Sequence, residues 1–302
     1  MPDKTEVTCG DRLRDLGRFI YNHERREFVG RDGGRWAGFF CAMLAVFMAV
    51  TPRDRPRYST KASRMQTRSN PLSPGLGFRP QPHSDNYLIG FDVDNKEKNT
   101  KWNSELYTDS LTQYLKFNHP KNKTNDGYYD GTVGSKPFNI QSPGDCTVAN
   151  KFGYGDGKPC VLVKMNKIVN WYPIGGRTSD DHKEGKNPCT DDSTDAIQIH
   201  CHGEYAADQD NIGELLYHSE TEDSSACGTI RTDTGRFPYR GKVDRRDVYY
   251  QPYIWVQFLK PKANVLINVL CRAYGANIHY EKKQLRGLTR FQIYHKKTTG
   301  NN

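Results

Sequence analysis

Six of the eight cysteines lie in the second half of the chain, at Cys146, Cys160, Cys189, Cys201, Cys227 and Cys271, and no two have the C-x-x-C spacing of a zinc knuckle or redox motif. An even set without metal-ligand spacing points to disulfides, which persist on the oxidising side of a membrane. The second half must therefore fold as a stapled domain away from reducing cytosol. Spacing alone leaves any of fifteen pairings open. Cys9 and Cys41 stand apart near the start.

Between the two groups lies one apolar run, Trp36 to Val50, uncharged and followed by Thr51-Pro52-Arg53. Its 15 residues would span roughly 22 Å as a helix, against about 30 Å of hydrocarbon. The 35 residues ahead of it carry seven acidic side chains and no cleavage signal follows, so an uncleaved signal anchor over 36–51 fits better than a removed signal peptide. Flanking charge is balanced and does not orient it. The cysteines do, because disulfides require the C-terminal side to face the lumen or exterior. The single sequon, Asn122-Lys123-Thr124, agrees. Residues 1–35 then form a cytosolic tail, 52–82 a Pro-rich stalk with six prolines, and 83–302 an extracellular domain.

Of the formal net charge of +9, six units lie within residues 1–70, leaving the rest of the 302-residue chain nearly balanced. A nucleic-acid-binding domain carries its basic stripe on the folded part, so nucleic acid is not an expected partner. A hydrophobic content of 35 % excludes a multi-span membrane protein.

Leu13, Leu16, Phe19 and Ile20 recur at helical spacing in the tail. Thr100 to Lys116 reads as the one clear helix of the second half, with Trp102, Leu106, Leu111, Tyr114 and Leu115 on one face and Asn99 or Thr100 as its cap. Alternation then dominates. Ile197, Ile199 and Cys201 share one strand face, Val265, Ile267, Val269 and Cys271 another, and Ile254, Val256 and Phe258 a third. Val161–Met165 and Thr289–Ile293 add two further strands. Short strands between turn-rich loops predict a mainly β fold, a β-sandwich with Cys201 and Cys271 placed to cross its core.

No P-loop, G-x-S-x-G, H-E-x-x-H or EF-hand pattern occurs. Gly155-Asp156-Gly157-Lys158-Pro159 reads as a turn. His200-Cys201-His202 looks like a metal set, but a strand turns Cys201 away from both histidines. Asp191, Asp192 and Asp195 read as a solvated acidic turn. No catalytic residue, metal or cofactor is expected.

Three groups of motifs resemble the β subunits of the Na,K-ATPase and H,K-ATPase. The first is Phe19-Ile20-Tyr21-Asn22, then Glu24-Arg25-Arg26-Glu27-Phe28-Val29-Gly30-Arg31 and Gly33-Gly34-Arg35-Trp36. The second is Gly75-Leu76-Gly77-Phe78-Arg79-Pro80. The third is Phe237-Pro238-Tyr239-Arg240-Gly241-Lys242, Tyr250-Gln251-Pro252-Tyr253 through Val256-Gln257-Phe258, and Ala273-Tyr274-Gly275-Ala276-Asn277-Ile278 ending at Tyr280. The resemblance implies a single-pass type II plasma-membrane glycoprotein with an Ig-like ectodomain. It implies a non-catalytic partner of a P-type α subunit that assists folding, export and delivery of α and modulates K+ occlusion. It also implies the links Cys146–Cys160 and Cys201–Cys271; Cys189 and Cys227 remain and are expected to pair. Docking on α falls to Phe237, Pro238, Tyr239, Gly241, Lys242, Tyr250 and Tyr253, glycosylation to Asn122, and lipid contact to the anchor. The alternative is a stand-alone adhesion or ligand-binding glycoprotein, since fold does not fix function. Two departures stand out. No cysteine lies between Cys41 and Cys146, so the family's membrane-proximal disulfide has no counterpart. The anchor is also about fifteen residues shorter than the family's, lacking its Phe-Tyr repeat.

Overall fold

Side chains two apart share a face of a strand, and that period organises the chain from Leu76 onward. The computed structural model describes residues 17, 19–29, 31–50, 74–83, 85–94, 102–118, 138–168, 171–176, 188–189, 194–220, 222–239 and 249–297. The chain divides into two units, Met1–Arg53 and Asp54–Asn302.

In the second unit the described strands form two sheets of five. One has the order β3 (Leu76–Arg79), β5 (Cys160–Met165), β10 (Tyr253–Phe258), β7 (Leu215–His218), β8 (Asp223–Ser224). The other has the order β4 (Leu88–Asp92), β12 (Leu288–Lys296), β11 (Leu266–Tyr274), β6 (Ala196–Gly203), β9 (Gly228–Arg231). Only β4 and β12 pair in parallel among these neighbours. The sheets meet through aromatic rings, Phe78 and Phe258 reaching Phe291 at centroid distances of 4.8 and 6.2 Å. Tyr217 fills the space between them, its Oη accepting from the Cys201 N–H at 2.9 Å and donating to the Cys201 carbonyl at 3.2 Å. A sandwich results because Ile254, Val256 and Phe258 on β10 and Ile267, Val269 and Cys271 on β11 each present one apolar face, and two such faces bury each other.

Three disulfides are present, Cys146–Cys160, Cys189–Cys227 and Cys201–Cys271, the pairings anticipated above. The placement of the last differs from expectation. Cys201 and Cys271 do not cross the core; they sit directly opposite each other on β6 and β11 of one sheet, with Cα atoms 4.0 Å apart. Alternation turns both inward correctly, but two inward cysteines look the same in sequence whether their strands are neighbours or face each other.

Two boundaries also move. The Pro-rich stretch does not run as a stalk to residue 82, because Leu76 and Phe78 are core residues of β3, with Pro80 closing the strand. The helix starts later than expected, as α2 (Glu105–Asn118), and Asn103 Oδ1 accepts from the Glu105 N–H at 2.8 Å in place of a cap at 99 or 100. Its buried side chains are Tyr107 and Leu111, whereas Leu106 is 48 % exposed. Trp102 precedes the helix and lies on Gly90, where an added Cβ would come within 2.4 Å of its ring.

A further short helix, α3 (Ala206–Ile212), has no apolar period to announce it. Buried Asp208 holds it in place, accepting from the Tyr205 N–H at 3.3 Å and from the Asn268 N–H of β11 at 3.0 Å. Gly203 lets this helix approach, since a Cβ there would stand 2.2 Å from the Gln209 nitrogen. Gly203→Ala is therefore expected to destabilise by about 2–3 kcal/mol, because the obstacle is backbone. A urea titration showing a loss below 0.5 kcal/mol would contradict that packing.

In the first unit, β1 (Tyr21–Asn22) and β2 (Glu27–Phe28) form a hairpin, and Asn22 Oδ1 accepts from the N–H groups of Glu24 and Arg25 at 3.1 and 3.3 Å. Asp32 caps α1 (Gly33–Val50) by accepting from the Arg35 N–H at 2.7 Å, and the Trp36 indole donates to the Phe28 carbonyl at 2.7 Å. Gly17, Phe19 and Ile20 are helical; the rest of the expected tail helix lies outside the described residues. Among the described residues no helix is long and apolar enough to cross a membrane. The 18 residues of α1 reach about 27 Å, and its first turn is Gly-Gly-Arg.

Candidate partner-docking surface

The aromatic cluster expected to contact a partner follows β9. Ahead of it, buried Arg236 forms a two-pronged ion pair with Glu220, its Nη1 and Nη2 donating at 2.8 and 2.6 Å, and lies 5.1 Å above the Phe138 ring. This pair pins the chain just before Phe237-Pro238-Tyr239. Phe237, Tyr250 and Tyr253 are 9, 2 and 7 % exposed. Phe237 lines a cavity of about 10 Å3 with Ile168, Trp171 and Pro252, and the Tyr253 ring packs on Phe138 at 4.8 Å. A side chain spent on the core cannot also anchor a partner, so these three leave the expected contact set.

Pro238 and Tyr239 remain half-exposed. Tyr239 and Tyr249 rings meet at 4.8 Å, and the Lys167 ammonium lies 5.4 and 5.3 Å from their centroids. Such a cation over two phenol faces is held by the ring quadrupoles. Gly241, Lys242 and the sequon at Asn122 lie outside the described residues.

The same face continues into a cluster that sequence reasoning did not single out. Leu76 and Phe78 of β3 point inward, so Gly77 and Arg79 point outward, and β5 pairs Lys164 with Gly77. Lys164 lies across that glycine: a Cβ at 77 would be 3.7 Å from its Nζ. Arg79 Cζ stands 5.4 Å and Lys164 Nζ 6.0 Å from the Tyr114 ring centroid. Arg79 Nη1 donates to the Phe78 carbonyl at 2.8 Å and to Gln81 Oε1 at 2.6 Å, and Lys164 Nζ donates to Gln251 Oε1 at 3.4 Å. Gln251 is oriented by donating its Nε2 to the Met165 carbonyl. Burial, with the positive charges of Arg79 and Lys167 nearby, pushes the Lys164 ammonium down to about 7. The one signal in the sequence was a lysine at an outward strand position opposite a glycine, too common a pattern to select.

Elsewhere, β6 turns His200 and His202 to one face with rings 5.8 Å apart and Cys201 to the other. His200 Nδ1 lies 2.8 Å from the Ala226 carbonyl, and burial lowers the pKa of both histidines. No group of three or more His, Cys, Asp or Glu able to hold a metal occurs among the described residues.

The family model described as sodium/potassium ATPase beta chain matches residues 6–293, almost the full length. The chain belongs to that family. It is similar to sodium/potassium-transporting ATPase subunit beta-2 of Drosophila melanogaster, 27 % identical over 323 residues that cover 93 % of this chain and 91 % of the relative. It is 28 % identical to the beta-2 subunit of Rhinella marina, with 90 % of each chain covered, and 26 % identical to that of Mus musculus, with 98 % and 99 % covered. The Pro238–Tyr239 surface, strand β3 and the hairpin before α1 all fall within the matched residues of this beta-chain family member.

Proposed function

We propose that this chain is the non-catalytic β subunit of a Na,K-transporting P-type ATPase, assisting the folding, export and plasma-membrane delivery of a catalytic α subunit and modulating its K+ occlusion and transport. The observation that carries this reading is the family match running through both units, from the tail to β12. The sandwich is read as Ig-like and extracellular, with Tyr239, Pro238 and Lys167 on its docking face; Gly241, Lys242 and a glycan at Asn122 belong to the same reading.

The membrane arrangement is type II, with α1 as a short anchor. Phe40, Met43, Leu44 and Val46 are each more than half exposed on α1, and an apolar helix presenting such side chains requires lipid or a partner helix to cover them. An apolar span of about 22 Å, shorter than the hydrocarbon thickness, is accommodated by local thinning of the bilayer or by the partner.

Co-expression with a Na,K-ATPase α subunit tests the proposal. Expected are co-purification in mild detergent and a rise of several fold in α at the cell surface. Equal surface α with and without this chain, and no co-purification, would reject it.

A further inference from the structure

Lys164 carries three N–H donors, and Gln251 Oε1 is the one acceptor that the described residues bring to it. No carboxylate among the described residues pairs with either Lys164 or Arg79, although both side chains are largely withdrawn from water. An unpaired cation in such a place opposes folding. The free protein therefore holds Lys164 at a loss that an arriving negative charge would recover.

We propose that Arg79 and Lys164 form a receiving site for a carboxylate side chain of the catalytic partner, beside the tyrosine surface on which that partner docks. The inference rests on the docking reading above and deepens it. Charge complementarity selects an acidic group, since Arg79 and Lys164 flank one phenol ring and Lys167 stands on the same strand extension. Continuity selects a side chain of the docked partner over a free ion. Met165, Asn166, Lys167 and Gln251, the residues surrounding Lys164 in sequence and space, also line the cavity bounded by Tyr239, Tyr249 and Pro252. A chain lying on those rings would exclude water from the cations, which strengthens a charged hydrogen bond. Arg79 would contribute its fork and Lys164 its remaining donors.

The test uses the full chain co-expressed with a Na,K-ATPase α subunit, purified in detergent at low and high salt, with variants Lys164→Met, Lys164→Arg and Tyr239→Ala. Lys164→Met is expected to lower co-purified α about tenfold or more, the effect of removing one member of a desolvated charge pair. Lys164→Arg is expected to retain it. A melting curve of the purified chain separates this from misfolding, because Lys164→Met should melt no lower than the parent. If Lys164→Met binds α as the parent does while Tyr239→Ala loses it, docking stands and the carboxylate site is rejected. If neither variant loses α, the docking surface itself is rejected, and the site with it. Acetate and sulfate are titrated against the purified chain as a separate arm. Saturable thermal stabilisation in the parent and not in Lys164→Met, with co-purification unchanged, would assign the site to a free anion and overturn the proposal.

Discussion

Replacing Cys201 and Cys271 together by alanine is expected to cost the β domain about 4 kcal/mol, more than removal of either other disulfide. The link closes a sequence separation of 70, against 38 for Cys189–Cys227 and 14 for Cys146–Cys160. In the chain-entropy account, loops of those lengths restrain the unfolded chain by about 4 kcal/mol at the long end and about 3 kcal/mol at the short. The pair is also fully buried beneath Tyr217, so alanines leave a small void that adds to the loss. Against a total stability of about 5–15 kcal/mol this is a large share. Urea unfolding of the parent and of each double variant checks the ranking. If the Cys146/Cys160 variant proves the least stable, unfolded-state restraint is not the governing effect.

Lys164→Met should stabilise the protein by about 5 kcal/mol at pH 6, and the gain should fade as the pH approaches 10. The sign follows from proton binding. With the folded ammonium at about 7 and its ordinary value at 10.5, the unfolded chain binds the extra proton between those values, so parent stability rises with pH across that window. Below it both states are charged and the burial penalty is complete. Melting temperatures of parent and variant from pH 6 to 10 read this directly. A constant difference over that range would show that Lys164 is charged in the folded protein throughout.

Cys201 and Cys271 mark how far residue order reaches and where it stops. Inward alternation at Ile199 and Cys201, and at Val269 and Cys271, is written in residue order, because a strand's two faces differ in polarity whatever its neighbours are. Which strand lies beside which is a matter of pairing between segments 70 residues apart, and no local pattern encodes it. Tyr250 and Tyr253 show the same limit in reverse. An aromatic-rich stretch is equally consistent with a contact surface and with a core, and only the packing of Phe138 and Trp255 on Tyr253 distinguishes them.

Helices divide along the same line. α2 is legible as a period of apolar residues, and Leu111, Tyr114 and Leu115 lie on the core as that period requires; only Leu106 is displaced, by Tyr107, whose hydroxyl accepts from the Gly90 N–H and donates to the Leu88 carbonyl of β4. α3 carries no apolar period because its stability is borrowed: Asp208 is buried against a strand 60 residues away, and a seven-residue helix is too short to hold unaided.

By itself, the amino-acid order determined the period of each strand, the six cysteines available for disulfides, the family, and the position of the one long apolar segment. Those properties are local or compositional, and survive without knowledge of neighbours. The tertiary structure alone decided that the buried disulfide joins adjacent strands, that Leu76–Arg79 is an edge strand of its sheet, and that Arg79 and Lys164 share one ring. Each of those depends on which distant segments meet, and close packing admits one such arrangement where sequence pattern admits many.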